Sequence, residues 1–316
     1  MPSTYKVASD TLKLRILKIH IYTDIDTLFG RACRTWMDVL LDSGHEVEYV
    51  DLGTDKDSPL PDAGIADVNL LVAGIYAFER FGKHGLPRGK NLLWMLDPLT
   101  RNPEAAVHGY KAKLFDAFAP QLDAVLAMDQ PIEDYLHQHY PALAVSQLPY
   151  LIAEKHIHTP EPESARTCDV LFMGHVSPPR EEAEALFKAS DVSAEFVWGG
   201  LWGKAREERL RHARISLTIH ADTQHTYFDQ FRTLEVWAAG TVMVSQTTDG
   251  LAAHSIKAGE HLAMADLSHL PALCQSLLND AAKQQAMTAA AQTLLRQQFS
   301  VQRWRKHMLD TVNRIA

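Results

Sequence analysis

Long apolar runs are missing from this chain: no stretch approaches the roughly 18 residues that a membrane-crossing helix needs. Cysteine is scarce. Cys33, Cys168 and Cys274 are three in 316 residues, odd in number and widely spaced, which excludes a disulfide frame and leaves buried, reduced thiols as the expectation. An excess of positive charge is also lacking. The formal net charge of −8 excludes a nucleic-acid binder that relies on a broad basic surface, while leaving room for a local basic pocket. The first residues, MPSTYKVASDTLKLR, carry no apolar signal-peptide core, so the chain is expected to be cytoplasmic, with no stable nucleic-acid partner and no membrane insertion.

Metal-ligand spacing is absent as well, despite sixteen histidines. The pairs His137/His139 and His156/His158 have no cysteine or acidic ligand at zinc spacing beside them. On a helix, two side chains at i and i+2 point about 200° apart, and PIEDYLHQHY around the first pair reads as helical. The second pair lies in a segment rich in proline and glutamate. The D-x-D strings, Asp24–Asp26 and Asp55–Asp57, both fall in the first half. No cofactor and no metal site are expected.

What the chain does have is a rhythm. A hydrophobic content of 46% with 22% charged residues is that of a soluble globular protein, and the length suits two domains of ordinary size. Apolar runs at 14–22, 46–52, 68–75, 91–97 and 123–129 alternate with helical patterns, which predicts βαβ units around a parallel sheet. Residues 152–167, IAEKHIHTPEPESART, break the pattern with two prolines and alternating charge, as an interdomain linker does. The rhythm then restarts at 169–175, 194–200 and 215–220, and the last 45 or so residues read as helices. The expected fold is therefore α/β, with two Rossmann-like domains facing across a cleft: residues 1–151, a linker at 152–167, and a second domain at 168–298.

In such folds ligands sit at the carboxyl ends of the strands. That rule selects Asp24, Asp26, Thr27, Gly74, Tyr76, Asp97, Asp129, Gly174, His175, Gly199 and His220 as candidates. Asp97 and Asp129 each stand just before a proline-containing turn, where turn starting and helix capping are the favoured roles. Trp198 and Trp202 frame Gly199–Gly200 and either stack on a nucleobase or plug the sheet edge. Asp26, or Asp24, stands where a carboxylate can deprotonate an acceptor hydroxyl, although Asp26 also suits the N-cap of the helix that follows. The segment GKHGLPRGK (82–90) reads either as an acceptor loop or as a plain surface turn.

The most informative stretch is FDQFRTLEVWAAGTVMVS (228–245), in which Arg232 and Glu235 stand three residues apart on a short helix that stops at Gly240 before an apolar strand. Taken alone, this spacing also fits an intrahelical ion pair on a solvated face. R-x-x-E-x-x-A-x-G followed by a strand resembles the donor-site signature of GT-B glycosyltransferases, in particular the group-1-like family that includes CgeB-type proteins. Three further segments stand in the family's order: DVLFMGHVSPPR (169–180), VWGGLWG (197–203) and ARISLTIH (213–220). The resemblance covers roughly residues 168–305 and is carried by the order of the motifs more than by any one of them.

The resemblance implies a nucleotide diphosphate sugar as donor, an unidentified acceptor and no metal. It assigns Glu235 to the ribose hydroxyls and Arg180, six residues after Gly174, to the diphosphate, with Arg232 sharing that role or bracing Glu235. Trp198, Gly199 and His220 fall in the donor loops. Many such enzymes carry a second glutamate eight positions earlier; here that position is Tyr227, which leaves retention or inversion open. The resemblance also implies that a C-terminal helix, 299–316, returns to the first domain with Trp304 and Met308 in the contact. The alternatives are a non-catalytic nucleotide- or sugar-binding protein of the same architecture and a two-domain sugar-nucleotide epimerase.

Overall fold

The computed structural model describes residues 16–23, 30–53, 55, 57–72, 75–101, 106–199, 201–221 and 226–316, with the backbone alone at 75–76 and 106–108. In the first half, β1 (Lys18–Thr23), β2 (Glu46–Asp51), β3 (Val68–Val72), β4 (Lys90–Met95), β5 (Ala124–Ala127) and β6 (Ala144–Gln147) form one sheet. All its pairings are parallel, in the order β2-β1-β3-β4-β5-β6. In the second half, β7 (Cys168–Gly174), β8 (Ala194–Trp198), β9 (Ala213–Thr218), β10 (Val242–Gln246) and β11 (Ala263–Ala265) form another parallel sheet, ordered β11-β10-β9-β7-β8. Parallel neighbours require crossovers, and the crossover helices cover both faces. That is why β1, β3 and β5 are almost wholly buried and read as continuous apolar runs.

The first half supplies α1 (Gly30–Leu41), α2 (Ile75–His84), α3 (Ala106–Phe118) and α4 (Gln130–His139). The second half supplies α5 (Pro178–Lys188), α6 (Gly203–Arg211), α7 (Gln230–Ala238), α8 (Leu270–Leu278), α9 (Ala281–Gln298) and α10 (Val301–Ile315). On α1 the residues Ala32, Cys33, Trp36, Val39 and Leu40 form a buried stripe at helical spacing. In each sheet the winding reverses beside the first strand of its half, between β1 and β3 and between β7 and β9. Such reversals open a crevice at the strands' carboxyl ends. The expected pair of Rossmann-like domains is the architecture observed.

Three local expectations change. GKHGLPRGK (82–90) is the end of α2 and the lead into β4, so it lies at the amino edge of the sheet, away from the strands' carboxyl ends. The strands β6 and β11 and the helix α2 have no counterpart in the sequence reading. The 152–167 segment is strapped down: Ile152 is buried and its N–H donates to the Phe299 carbonyl at 3.0 Å, while the His158 N–H donates to the Ala238 carbonyl at 2.7 Å. Farther along this strap, Pro160 lies so close to Gly240 that a Cβ there would come within 2.8 Å of the proline Cα. The returning helix is present. α10 packs on α1 and β4 with Met308 fully buried, Trp304 partly so, and Arg305 donating to Ser43 Oγ at 2.8 Å.

The halves also meet through buried polar groups on α7. Gln230 accepts from the Tyr150 N–H at 3.3 Å and donates to the Met128 carbonyl at 3.0 Å. One turn on, Glu235 is 6% exposed; its Oε2 lies 2.8 Å from the Arg31 guanidinium of α1 and its Oε1 accepts from the Tyr150 hydroxyl at 2.8 Å. Arg31 also pairs with Glu207 of α6, which His158 contacts in turn. Around them the rings of Trp94 and Tyr150 stack at 6.2 Å, and Phe231 meets Tyr150 edge-on at 5.1 Å. Removing one partner of a buried pair strands the other, so Glu235→Ala is expected to lower unfolding stability by about 3–5 kcal/mol in urea titration. The double variant Arg31→Met/Glu235→Leu, which leaves no stranded partner in that pair, is expected to recover most of the loss. A Glu235→Ala protein as stable as the parent would show that the contact does not join the halves.

Candidate functional site

A cavity of about 230 Å³ opens between the two sheets at the carboxyl ends of their strands. The first sheet contributes Leu96, Asp97 and Pro98 after β4, and Met128 and Asp129 after β5. The second contributes Gly174 and His175 after β7 and Thr218, Ile219 and His220 at the end of β9, the two strands flanking its reversal point. Gly199, Trp202, Arg180 of α5, Arg206 of α6, and Tyr227 and Arg232 before and on α7 complete the wall.

Three guanidinium groups line this one space. Arg180, 8% exposed, donates from Nε to the Ile219 carbonyl at 3.0 Å and from Nη1 to the His175 carbonyl at 3.1 Å. Arg232 donates to the Met173 carbonyl and to Asp229 Oδ2, the latter at 3.3 Å. Both lie over the Phe172 ring, with their guanidinium carbons 5.5 and 5.6 Å from its centroid. Gly174 makes this possible: a Cβ there would stand 2.9 Å from the Phe172 ring and 3.4 Å from Arg180 Nη1. Arg206, 6% exposed, lies over the Phe231 ring at 5.6 Å, and its Nε finds no hydrogen-bond partner among the described residues. Burial, and then the repulsion of Arg232, pull its pKa down to about 10. Burial, followed by Arg180 and Arg232, likewise lowers the pKa of His175, so that imidazole is neutral near pH 7.

The cavity's carboxylates differ in how they are satisfied. Asp97 is paired with the buried Lys111 at 2.7 Å. Asp229 caps α7, accepting from the Arg232 N–H at 2.9 Å, and also pairs with that side chain. Asp129 caps α4 through Oδ1, which accepts from the Ile132 N–H at 3.0 Å, and burial raises its pKa to about 6.

Of the candidates read from the sequence, Asp97, Asp129, Gly174, His175, Arg180, Gly199, His220, Tyr227 and Arg232 come together on this cavity. His220 is held by Nε2 against the Thr247 carbonyl at 2.9 Å. Tyr227 lies flat against Gly250, where a Cβ would come within 2.2 Å of its ring. Two candidates lie elsewhere. Glu235, a helical turn beyond Arg232, is off the cavity wall and committed to Arg31 and Tyr150. Trp198 packs on Phe172 at 5.6 Å and on Phe196 at 5.8 Å, in the plug position, while Trp202 is the tryptophan on the cavity. Asp24, Asp26, Thr27 and Gly74 lie outside the described residues. Arg206 is not legible in the sequence, because KAREERLR has no apolar period and reads as a solvated helix; the Phe231 ring of α7 that it lies over is distant in the chain.

Three guanidinium groups converging on one wall of a cavity are an arrangement for a multiply charged anion. Residues 176–310, less than half of the chain, match the family described as glycosyl transferase-like. Solved structures of similar fold include an alpha-glucosyltransferase in complex with UDP-glucose and DNA containing an abasic site (TM-score 0.65, 12% identity, 95% of this chain and 100% of that one). The phage T4 beta-glucosyltransferase (TM-score 0.59, 14% identity, 94% and 99%) and Anabaena HepE in complex with UDP-glucose (TM-score 0.63, 13% identity, 94% and 99%) are also similar. No curated protein matches the sequence. The CgeB-type branch is not singled out by any of these matches. Residues 176–310 are similar to the glycosyl transferase-like family, and the chain has the GT-B glycosyltransferase fold.

Proposed function

We propose that this protein transfers a glycosyl group from a nucleoside diphosphate sugar to a hydroxyl acceptor, with its arginines in place of a bound cation. The observation that carries the reading is the convergence of Arg180, Arg206 and Arg232 on one cavity at the reversal point of the second sheet. UDP-glucose, present in the complexes of two of the similar proteins, is the first donor to test. In this reading the arginines receive the diphosphate and the negative charge that grows on it as the glycosidic bond breaks. Trp202, with Gly199 beside it, offers the nucleobase a flat apolar face. Tyr227 and His220 border the space left for the sugar.

Glu235 has a different part in this arrangement from the one its motif implies. To accept ribose hydroxyls it would have to release Arg31 and Tyr150, so we assign it the task of fixing α7, and with it Arg232, against the first half. Asp26 and Asp24 remain candidates for the acceptor's base on the strength of their place after β1.

Arg206 provides a clean test, because its guanidinium is buried without a full set of partners and contributes little to the empty fold. Arg206→Met is expected to weaken UDP binding by about 10- to 100-fold in isothermal titration, as loss of one charge-assisted contact does. Its melting temperature without ligand should equal or exceed the parent's. Unchanged UDP affinity would remove the three-arginine assignment.

A second test concerns the metal. Glucose release or transfer from UDP-glucose is expected to persist in excess EDTA, since the arginines supply the countercharge. Complete loss of turnover, restored by magnesium, would overturn that part of the proposal.

A further inference from the structure

We propose that Asp129 is the base that takes the acceptor's proton, and that transfer consequently inverts the anomeric centre. The inference rests on the glycosyltransferase reading above and adds the residue and the stereochemistry. Among the described residues three carboxylates line the cavity, and two of them carry a countercharge: Asp97 has Lys111 and Asp229 has Arg232. No ion pair reaches Asp129 among the described residues. A carboxylate held by a cation is a poor proton acceptor, whereas one without a countercharge keeps its basicity.

Geometry adds to this. One oxygen of Asp129 is fixed by the Ile132 N–H, which sets the carboxylate plane, and the residue lies on the wall built by the first sheet. The arginines stand on the wall built by the second. A donor whose diphosphate lies among them places its sugar between the two walls, with the departing oxygen toward the second and the opposite face of the ring toward the first. The groups around Asp129 do not compete for the proton. Tyr227 stays a neutral phenol, its pKa raised by burial and then by Asp129 and Asp134. Gln230, which donates to the carbonyl of neighbouring Met128, does not titrate, and burial keeps His254 beside it neutral. The raised pKa of Asp129, about 6, leaves it ionised at neutral pH yet more basic than an exposed aspartate.

The step balances as follows. Asp129 accepts the hydroxyl proton while the acceptor oxygen's electron pair forms the new bond to the anomeric carbon. The bond from that carbon to the β-phosphate oxygen breaks, and its electron pair departs on the diphosphate. Attack from the face opposite the leaving group inverts the centre.

Water can stand in for the acceptor, so the test needs only UDP, UDP-glucose and the whole protein. Asp129→Asn keeps the shape and the capping oxygen. It is expected to bind UDP within about 3-fold of the parent and to melt at the same temperature, yet to hydrolyse UDP-glucose at least about 100-fold more slowly. The parent's rate should rise with pH through about 6, and that limb should vanish in the variant. The first glucose released by the parent should be the β-anomer by NMR. An Asp129→Asn protein that hydrolyses within about 3-fold of the parent, or α-glucose as the first product, overturns the proposal; the first outcome with an inactive Asp26→Asn protein would place the base after β1 instead. Failure of the parent to bind UDP at all would sink the donor reading itself, and the binding arm shows it separately.

Discussion

Three guanidinium groups around one cavity, two of them buried and the third nearly so, are the constraint on which this molecule turns. Like charges a few ångströms apart repel by an amount on the order of kilocalories per mole at protein-like dielectric, and each also loses hydration. Arg180 and Arg232 are offset by main-chain carbonyls at strand ends, those of Ile219, His175 and Met173, and by the Phe172 ring. The carbonyls are available because a parallel strand stops hydrogen-bonding at its carboxyl end and leaves oxygens pointing into the crevice. Arg206 has the Phe231 ring, but its Nε finds no partner among the described residues, and burial followed by Arg232 lowers its pKa. A site built this way is preorganised, since the charges are in place before the anion arrives.

Holding the charges in place falls to α7. Positions 229, 230, 232 and 235 succeed one another around a helix that rises 5.4 Å per turn, so one short element faces two environments. Arg232 reaches the cavity, Gln230 stitches Met128 to Tyr150, and Glu235 takes Arg31. The helix that positions a phosphate ligand is therefore the helix that joins the halves. A shift of the first half against the second would be felt at Arg232 through the buried ion pair, and at Arg206 through Tyr150 and Phe231. The packed 152–167 strap adds to that coupling, because its backbone is bonded to both α7 and the turn before α10.

Most of the architecture was legible in the sequence. Strands buried on both faces must be apolar throughout, so β1, β3, β4, β5, β7, β9 and β10 announced themselves, and Gly44 with its positive φ of 81° marked the end of α1. The strands that escaped are peripheral: β6 is AVSQ, half exposed at an edge, and β11 has three residues. The site was legible where it depends on local chain geometry, as in Gly174, Arg180 and His220 at strand ends. It was not where a role depends on a distant partner. Nothing in the R-x-x-E spacing says that Arg31 and Tyr150 will occupy the glutamate. Nothing in a charged octapeptide says that Arg206 will be roofed by Phe231. Asp129 stood among the strand-end candidates, but capping was the favoured role, because capping is local and cavity exposure is not.

The two walls of the cavity carry opposite chemistry, and that asymmetry bears on why two domains are needed. The second wall is cationic and suited to gather negative charge. The first presents Leu96, Pro98 and Met128, apolar side chains with two carboxylates among them. Either wall alone would be poor at group transfer. An arginine-rich crevice open to water holds a diphosphate but leaves charge development screened, and an isolated acidic edge repels the donor. With the walls facing each other, the apolar side chains lower the effective dielectric in which the arginines act. Joining the sheets through buried polar groups, rather than through a free hinge, keeps that effect in the resting protein.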